Sequence, residues 1–410
     1  MKVNKWTVAL AATGVVGYAA QAEEKSSPVN TLLPSTTLSG YVDTSANWDI
    51  GNNKTQATRF ANTAADRQGG FNVNAVKIAL EKPLEEGVWA AGYKVESVFG
   101  SDATYLPGRF SSTDSTVAGA LKQAYVALRA PVGNGLDFKI GQFDPIIGYE
   151  VFDSYANPNF SRSFGFALEP LSHTGVLATY QFSDTVGFAG GIADTHFGGL
   201  NTKTVNRTIK TYMGGLTLKA PESLGWLAGS SLYAGVVYGA DSAATAATGA
   251  TVTNPIETTK RPVNLYAGAS LSSPWKAITW GLSYDYLFNP YNTDFSRTGF
   301  PSGVPRSQLS SYADAAAVYV SWQVQEKLKL NFRGEYATSS GGVFIPPTSN
   351  GFANDEKLVG GTVTADYSLW ANVITRLEVR WDHVAGGAYT TPFNNNRNDI
   401  TVAANVIYKF

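Results

Sequence analysis

Residues 373–382 read VITRLEVRWD and residues 400–410 read ITVAANVIYKF. In the first, Val373, Thr375, Leu377, Val379 and Trp381 alternate with Arg376, Glu378, Arg380 and Asp382. In the second, Ile400, Val402, Ala404, Val406, Tyr408 and Phe410 alternate with Thr401, Ala403, Asn405, Ile407 and Lys409. Successive side chains of a strand point to opposite faces, so this period of two marks strands lying between two different surroundings. Residues 278–286, 328–336 and 359–367 repeat the pattern. Each has an apolar face without charge, opposed by a face carrying Asp285, Lys329, Arg333, Glu335 or Asp366.

A soluble sandwich would alternate too. Strand length and aromatic placement distinguish the two environments. The segments run about 11 to 14 residues, near what a tilted membrane strand needs and about twice the usual globular length. Aromatics gather at the ends of the apolar faces, with Trp48, Tyr286, Tyr336 and Trp381 at one end and Phe182, Tyr408 and Phe410 at the other. Two such girdles flank the apolar band of an outer-membrane barrel. A sheet in lipid must close on itself to pair its edges, so the expected fold is an all-β, transmembrane antiparallel barrel.

Along the chain the pattern predicts sixteen strands, from 36–48 to 399–410, with fourteen or eighteen as alternatives. Among them are segments 172–182, 208–219 and 226–239. Phe71 and Val73 fall out of phase with Val76, Ile78 and Leu80, which predicts a bulge near Asn74. Short turns, such as Pro131–Gly135 and Ser183–Asp184, alternate with long polar connections, such as 240–261 and 289–311. Short periplasmic turns opposite long outer loops, with an even strand count, put both barrel ends on the periplasmic side.

Composition agrees. Only 15% of the 410 residues are charged, against about 25% in ordinary soluble domains. Gly at 41 and aromatics at 12% favour strands and tight turns. With Cys at 0, thiolate catalysis, Cys-ligated metal centres and disulfides are excluded. Lys2 and Lys5, the mostly apolar run Trp6–Ala20 and the small-x-small Ala20-Gln21-Ala22 predict a signal peptide over residues 1–22, cleaved on export. Residues 23–35, rich in Ser, Pro and Glu, read as a flexible leader before a barrel spanning 36–410. Without Lys2 and Lys5 the 31 basic residues fall to 29 against 32 acidic ones, so no nucleic-acid partner is indicated.

The segment Leu121–Tyr180 contains Lys122-Gln123-Ala124-Tyr125, the Pro-Val-Gly-Asn-Gly turn, Gly141-Gln142-Phe143, Gly148-Tyr149-Glu150, Asn159-Phe160-Ser161-Arg162-Ser163 and His173-Thr174-Gly175. Together with Phe71–Pro83, FNVNAVKIALEKP, it resembles the OmpL-like family of outer-membrane β-barrel porins of Gram-negative bacteria. The resemblance implies a passive pore. The terminal Tyr408-Lys409-Phe410 is similar to the C-terminal aromatic signal of outer-membrane proteins generally.

The chemistry-bearing residues fit no enzyme. His173, His196 and His383 show no metal spacing, and Ser172 and His173, as neighbours in a strand, face opposite sides. No cofactor or metal is expected. The function expected is an outer-membrane porin passing small hydrophilic solutes or ions. The alternative is a closed barrel serving envelope adhesion or anchoring through its long loops. Outer-membrane lipid and the barrel assembly machinery are the expected partners, the latter reading Tyr408 and Phe410. A homotrimer is an analogy with other porins.

The third long connection, Asp144 to Leu171, carries Ile146, Ile147, Val151, Phe152, Phe160, Phe164 and Phe166, a composition that solvent-exposed loops rarely have. It is expected to fold into the lumen as the pore constriction, taking Asp144, Glu150, Asp153 and Arg162 with it. In a ring of sixteen strands the wall opposite holds Lys329 and Arg333, with Arg376 and Arg380 a strand further on. Loop acids facing wall bases would set a field across the pore, giving a weak preference for cations.

Overall fold

The computed structural model describes residues 35–50, 68–85, 87, 89–106, 118–204, 208–239, 261–288, 312–341, 343–344, 354–386 and 396–410. The expected signal peptide, nearly all of the expected leader and connections 240–261 and 289–311, apart from Arg261, lie outside these residues. Sixteen strands follow in order: β1 Thr37–Asp49, β2 Gly70–Lys82, β3 Ala90–Gly100, β4 Ala118–Ala130, β5 Leu136–Phe143, β6 His173–Gln181, β7 Val186–Ala193 and β8 Thr211–Lys219. The second half is β9 Ser231–Tyr238, β10 Val263–Ser272, β11 Ile278–Phe288, β12 Tyr312–Gln325, β13 Leu328–Gly341, β14 Asn354–Trp370, β15 Val373–Gly386 and β16 Asn398–Lys409. Each pairs antiparallel with its sequence neighbours, and β1 pairs with β16 to close the barrel. The alternatives of fourteen and eighteen strands are thereby set aside.

The barrel is inverted relative to a soluble protein. On β15 the outward Leu377, Val379 and Trp381 are 56%, 46% and 39% exposed, while the inward Arg376, Glu378 and Arg380 are 3%, 2% and 1% exposed. Apolar side chains facing outward and charges packed inward suit a barrel whose outer solvent is hydrocarbon. Exposed Trp89, Phe182, Trp226, Trp275, Trp370 and Phe410 ring the end with short turns. Trp48, Tyr212, Tyr238, Phe288, Tyr336 and Trp381 ring the other.

Bulges in β1–β2 and β3–β4 break the alternation near the loop, and further register shifts occur between β12 and β13 and between β14 and β15. The β1–β2 register passes from Asp43↔Ala75 to Thr44↔Val73, leaving Asn74 as the extra residue where the phase slip predicts it. The β3–β4 register passes from Glu96↔Gln123 to Ser97↔Leu121, leaving Lys122 extra. Each bulge turns two consecutive residues inward, and Asn74-Ala75 and Lys122-Gln123 are all buried. The largest difference from the expected strand starts is at β9. Segment 226–239 becomes strand only at Ser231, because Glu222–Leu227 forms a 3₁₀ turn, and Gly225 and Gly229 take φ of 61° and 81°. Positive φ at two glycines cannot belong to an extended run.

Candidate functional site

The connection between β5 and β6 turns into the barrel. Its first apolar residues land on the inward face of β8, β9 and β11 at positions where the wall has no side chain. A β-carbon at Gly235 would lie 2.6 Å from Ile147 Cγ2, and one at Gly215 would lie 3.4 Å from Ile146 Cδ1. At Gly281 it would collide with the Tyr149 hydroxyl. These glycines make a seat for the loop, and Tyr149 stacks on Tyr319 of β12 with ring centroids 4.2 Å apart.

From that seat the loop crosses the lumen and is held on both sides. On the near wall, Lys77 of β2 reaches Asp153 at 2.5 Å and Glu96 of β3 at 3.3 Å. Lys122 of β4 reaches Asp144 at 2.7 Å and Glu96 at 3.1 Å. Tyr41 of β1 donates to Asp153 at 3.2 Å. On the far wall, Arg333 of β13 pairs with Glu150 at 2.9 Å, and Tyr319 donates to the same carboxylate at 3.2 Å.

Most far-wall contacts reach the loop main chain. Arg333 donates to the carbonyl of Ser161 at 2.7 Å, Arg380 to that of Arg162, and Arg376 to those of Ser154, Tyr155 and Asn157 at 2.9, 3.2 and 3.2 Å. Glu378 accepts the N–H groups of Phe160 and Ser161 at 2.6 and 2.9 Å, and Glu335 accepts that of Phe164 at 2.6 Å. A loop drawn out of water leaves its amides and carbonyls in need of partners, and the alternating acids and bases of β13 and β15 supply them. The wall charges also pair among themselves, Arg333 with Glu335 at 3.1 Å, Arg380 with Glu335 at 3.0 Å and Arg376 with Asp366 at 2.9 Å.

Glu150 thus meets Arg333 across the lumen as the sequence places it. Asp144 and Asp153 do not meet the far wall. Asp144 directly follows β5 beside the bulge at Lys122, and Asp153 lies over Lys77, so both are held by the near wall. Arg162 braces the loop internally: it donates to the carbonyls of Phe160 at 2.8 Å and Phe152 at 2.6 Å, and its guanidinium lies 5.6 Å from the Phe166 ring centroid. Lys329 sits opposite Asp366 in the β13–β14 register, nearer the short-turn end. Tyr408 is exposed on the outer face, and Phe410 exchanges main-chain hydrogen bonds with Gly40 at 2.9 and 3.0 Å.

Lys122, Glu169 and Asp285 are among the participants that the sequence expectation did not assign to the site. In a strand without a bulge, Lys122 would face lipid together with Ala124, Val126 and Leu128, and that misplaced charge was the available signal for the bulge. Glu169, at the loop's end, and Asp285 of β11 share a hydrogen bond in a buried spot near Glu150. Burial pushes the Glu169 carboxyl well above the ordinary carboxylate range, and Asp285 pushes it the same way.

Toward the long-loop end, Phe164 and Leu168 pack with Leu287, Ala315, Leu358 and Val384 of the wall. Phe344 joins them from the connection after β13, 6.0 Å from Phe164 by ring centroids, its N–H donating to Glu356 at 2.9 Å. His173 and His196 are buried at this end and hydrogen-bond to the main-chain oxygens of Thr195 and Val237, both at 3.3 Å. His383 sits on the rim, 5.7 Å from Trp381 by ring centroids. Among the described residues no group of three His, Cys, Asp or Glu is arranged to hold a metal.

A closed sixteen-stranded barrel with an apolar exterior, two aromatic girdles and a lumen crossed by an inward-folded loop defines an outer-membrane porin. Residues 35–410 match the family described as "Putative beta-barrel porin-2, OmpL-like", and the chain belongs to that family. Solved structures agree in fold. The outer-membrane channel DcaP of Acinetobacter baumannii superposes with a TM-score of 0.57 at 13% identity, over 92% of this chain and 97% of that one. The anion-selective porin of Comamonas acidovorans gives 0.57 at 11% identity, over 92% and 99%. The trimer form of OmpT of Vibrio cholerae gives 0.53 at 13% identity, over 92% and 99%. No curated protein matches the sequence.

Proposed function

We propose that this porin passes small hydrophilic solutes or ions by passive diffusion, and that the β5–β6 loop sets its constriction. The observation that carries this is the docking of one loop to both β1–β4 and β12–β15, so that any solute must pass beside it. Residues 1–22 serve as the cleaved export signal, and Phe410 presents the end read by the assembly machinery. The trimer form of OmpT supports a homotrimer.

The apolar packing of Phe164, Leu168 and Phe344 favours a second function, a barrel held closed that adheres or anchors through its long outer loops. Single-channel conductance in a planar bilayer separates the two. The purified chain should give stable steps, and deletion of Pro145–Glu169 should enlarge them if the barrel still folds. Steps unchanged in the folded deletion would defeat the constriction. A silent wild type with a conducting deletion would establish the closed barrel instead.

A further inference from the structure

Inside the barrel, acids and bases are not equally open to water. The three loop acids named from the sequence are each held by a cation within 3.0 Å: Asp144 by Lys122, Glu150 by Arg333 and Asp153 by Lys77. Asp43, Glu335, Glu356, Glu378 and Asp382 of the wall are buried. Below the loop, the lumen-facing strand acids toward the short-turn end are also matched. Glu81 lies 3.4 Å from Lys94, Asp137 lies 2.6 Å from Arg129, and Asp366 pairs with Arg376.

Two lysines in that lower vestibule are placed differently. Lys139 of β5 lies over the Tyr125 ring, 5.0 Å from its centroid, and Lys409 of β16 lies over the ring of the loop residue Tyr155, 5.3 Å from its centroid. Both are partly exposed, and neither forms an ion pair among the described residues. The charged groups facing Lys139 are Asp144, Lys94, Glu81 and Lys122, and those facing Lys409 are Asp366 and Arg376. Every acid in both sets already has a basic partner. A matched pair contributes a field that falls off quickly, whereas an unmatched charge on a low-dielectric wall projects into the water it lines.

We infer that Lys139 and Lys409 give the vestibule a net positive potential and make the pore prefer small anions, the reverse of what the loop carboxylates would impose. This rests on the channel function proposed above. A potential of about one kT would enrich monovalent anions roughly threefold over bulk solution.

The test is the reversal potential of the purified chain under a KCl gradient near 0.1 M, where screening reaches about 10 Å. Wild type should favour chloride over potassium. Lys139→Gln with Lys409→Gln should lower the Cl⁻:K⁺ permeability ratio about threefold. Lys139→Glu should lower it on its own, without touching the terminal strand. A cation-preferring wild type, or an unchanged ratio in conducting variants, would overturn the inference and leave the channel standing. A bilayer that stays silent with folded protein would remove both.

Discussion

Glu169 and Asp285 meet carboxyl to carboxyl where the loop rejoins the wall, with Glu150 as a third acid nearby and the Tyr266 and Tyr149 hydroxyls around them. Because docking raises the Glu169 pKa, the docked loop holds a proton that the undocked loop would release. Its contribution is complete below the ordinary value of 4.5 and is lost as pH rises through the higher docked value. The loop should therefore loosen on the alkaline side. Conductance and protease cutting within 145–169 should both rise as the pH is raised above the ordinary carboxylate range, and Glu169→Gln should flatten that dependence. A wild type insensitive to that rise in pH would count against the pair as a fastening. Little of this was legible beforehand, since the contact joins residues far apart in sequence through a loop whose path the period of two does not encode. Glu150 was legible because ring geometry alone sets β5 and β6 across from β13 and β14.

At the scale of elements, strands were readable because lipid outside and charge inside impose a period of two that few other folds sustain over such lengths. The readable loop feature was its apolar content, which foretold burial but not the seat. That seat consists of missing side chains at Gly215, Gly235 and Gly281, and a glycine in a strand carries no label saying what fills its space. Gly281→Val should drive Tyr149 off Tyr319 at a cost of about 1–3 kcal/mol, falling on loop docking rather than on the β10–β11–β12 ladder. Heat-modifiable migration should stay normal while conductance rises. Loss of the folded band would show instead that the loop seat supports the barrel itself.

For the whole molecule, closure depends on the β1–β16 seam, where Gly40 and Phe410 exchange both main-chain hydrogen bonds and the Phe410 ring crowds the place a β-carbon at Gly40 would take. Deleting Phe410 removes that last pair together with an anchor of the short-turn girdle. The folded, heat-modifiable fraction in membranes should fall, and a normal yield would defeat the claim. The ring of sixteen was legible because strand count and connection lengths are written locally. The partners of each inward charge were not, because far-wall arginines and glutamates take hold of carbonyls and amides that every residue possesses. On the far wall that grip follows the path of the crossing segment more than its spelling, whereas Asp144, Glu150 and Asp153 are fixed by their own side chains. Other side chains that point from the segment into the channel are free to drift, or to be rewritten for another cargo, while the fitting that receives them stays the same.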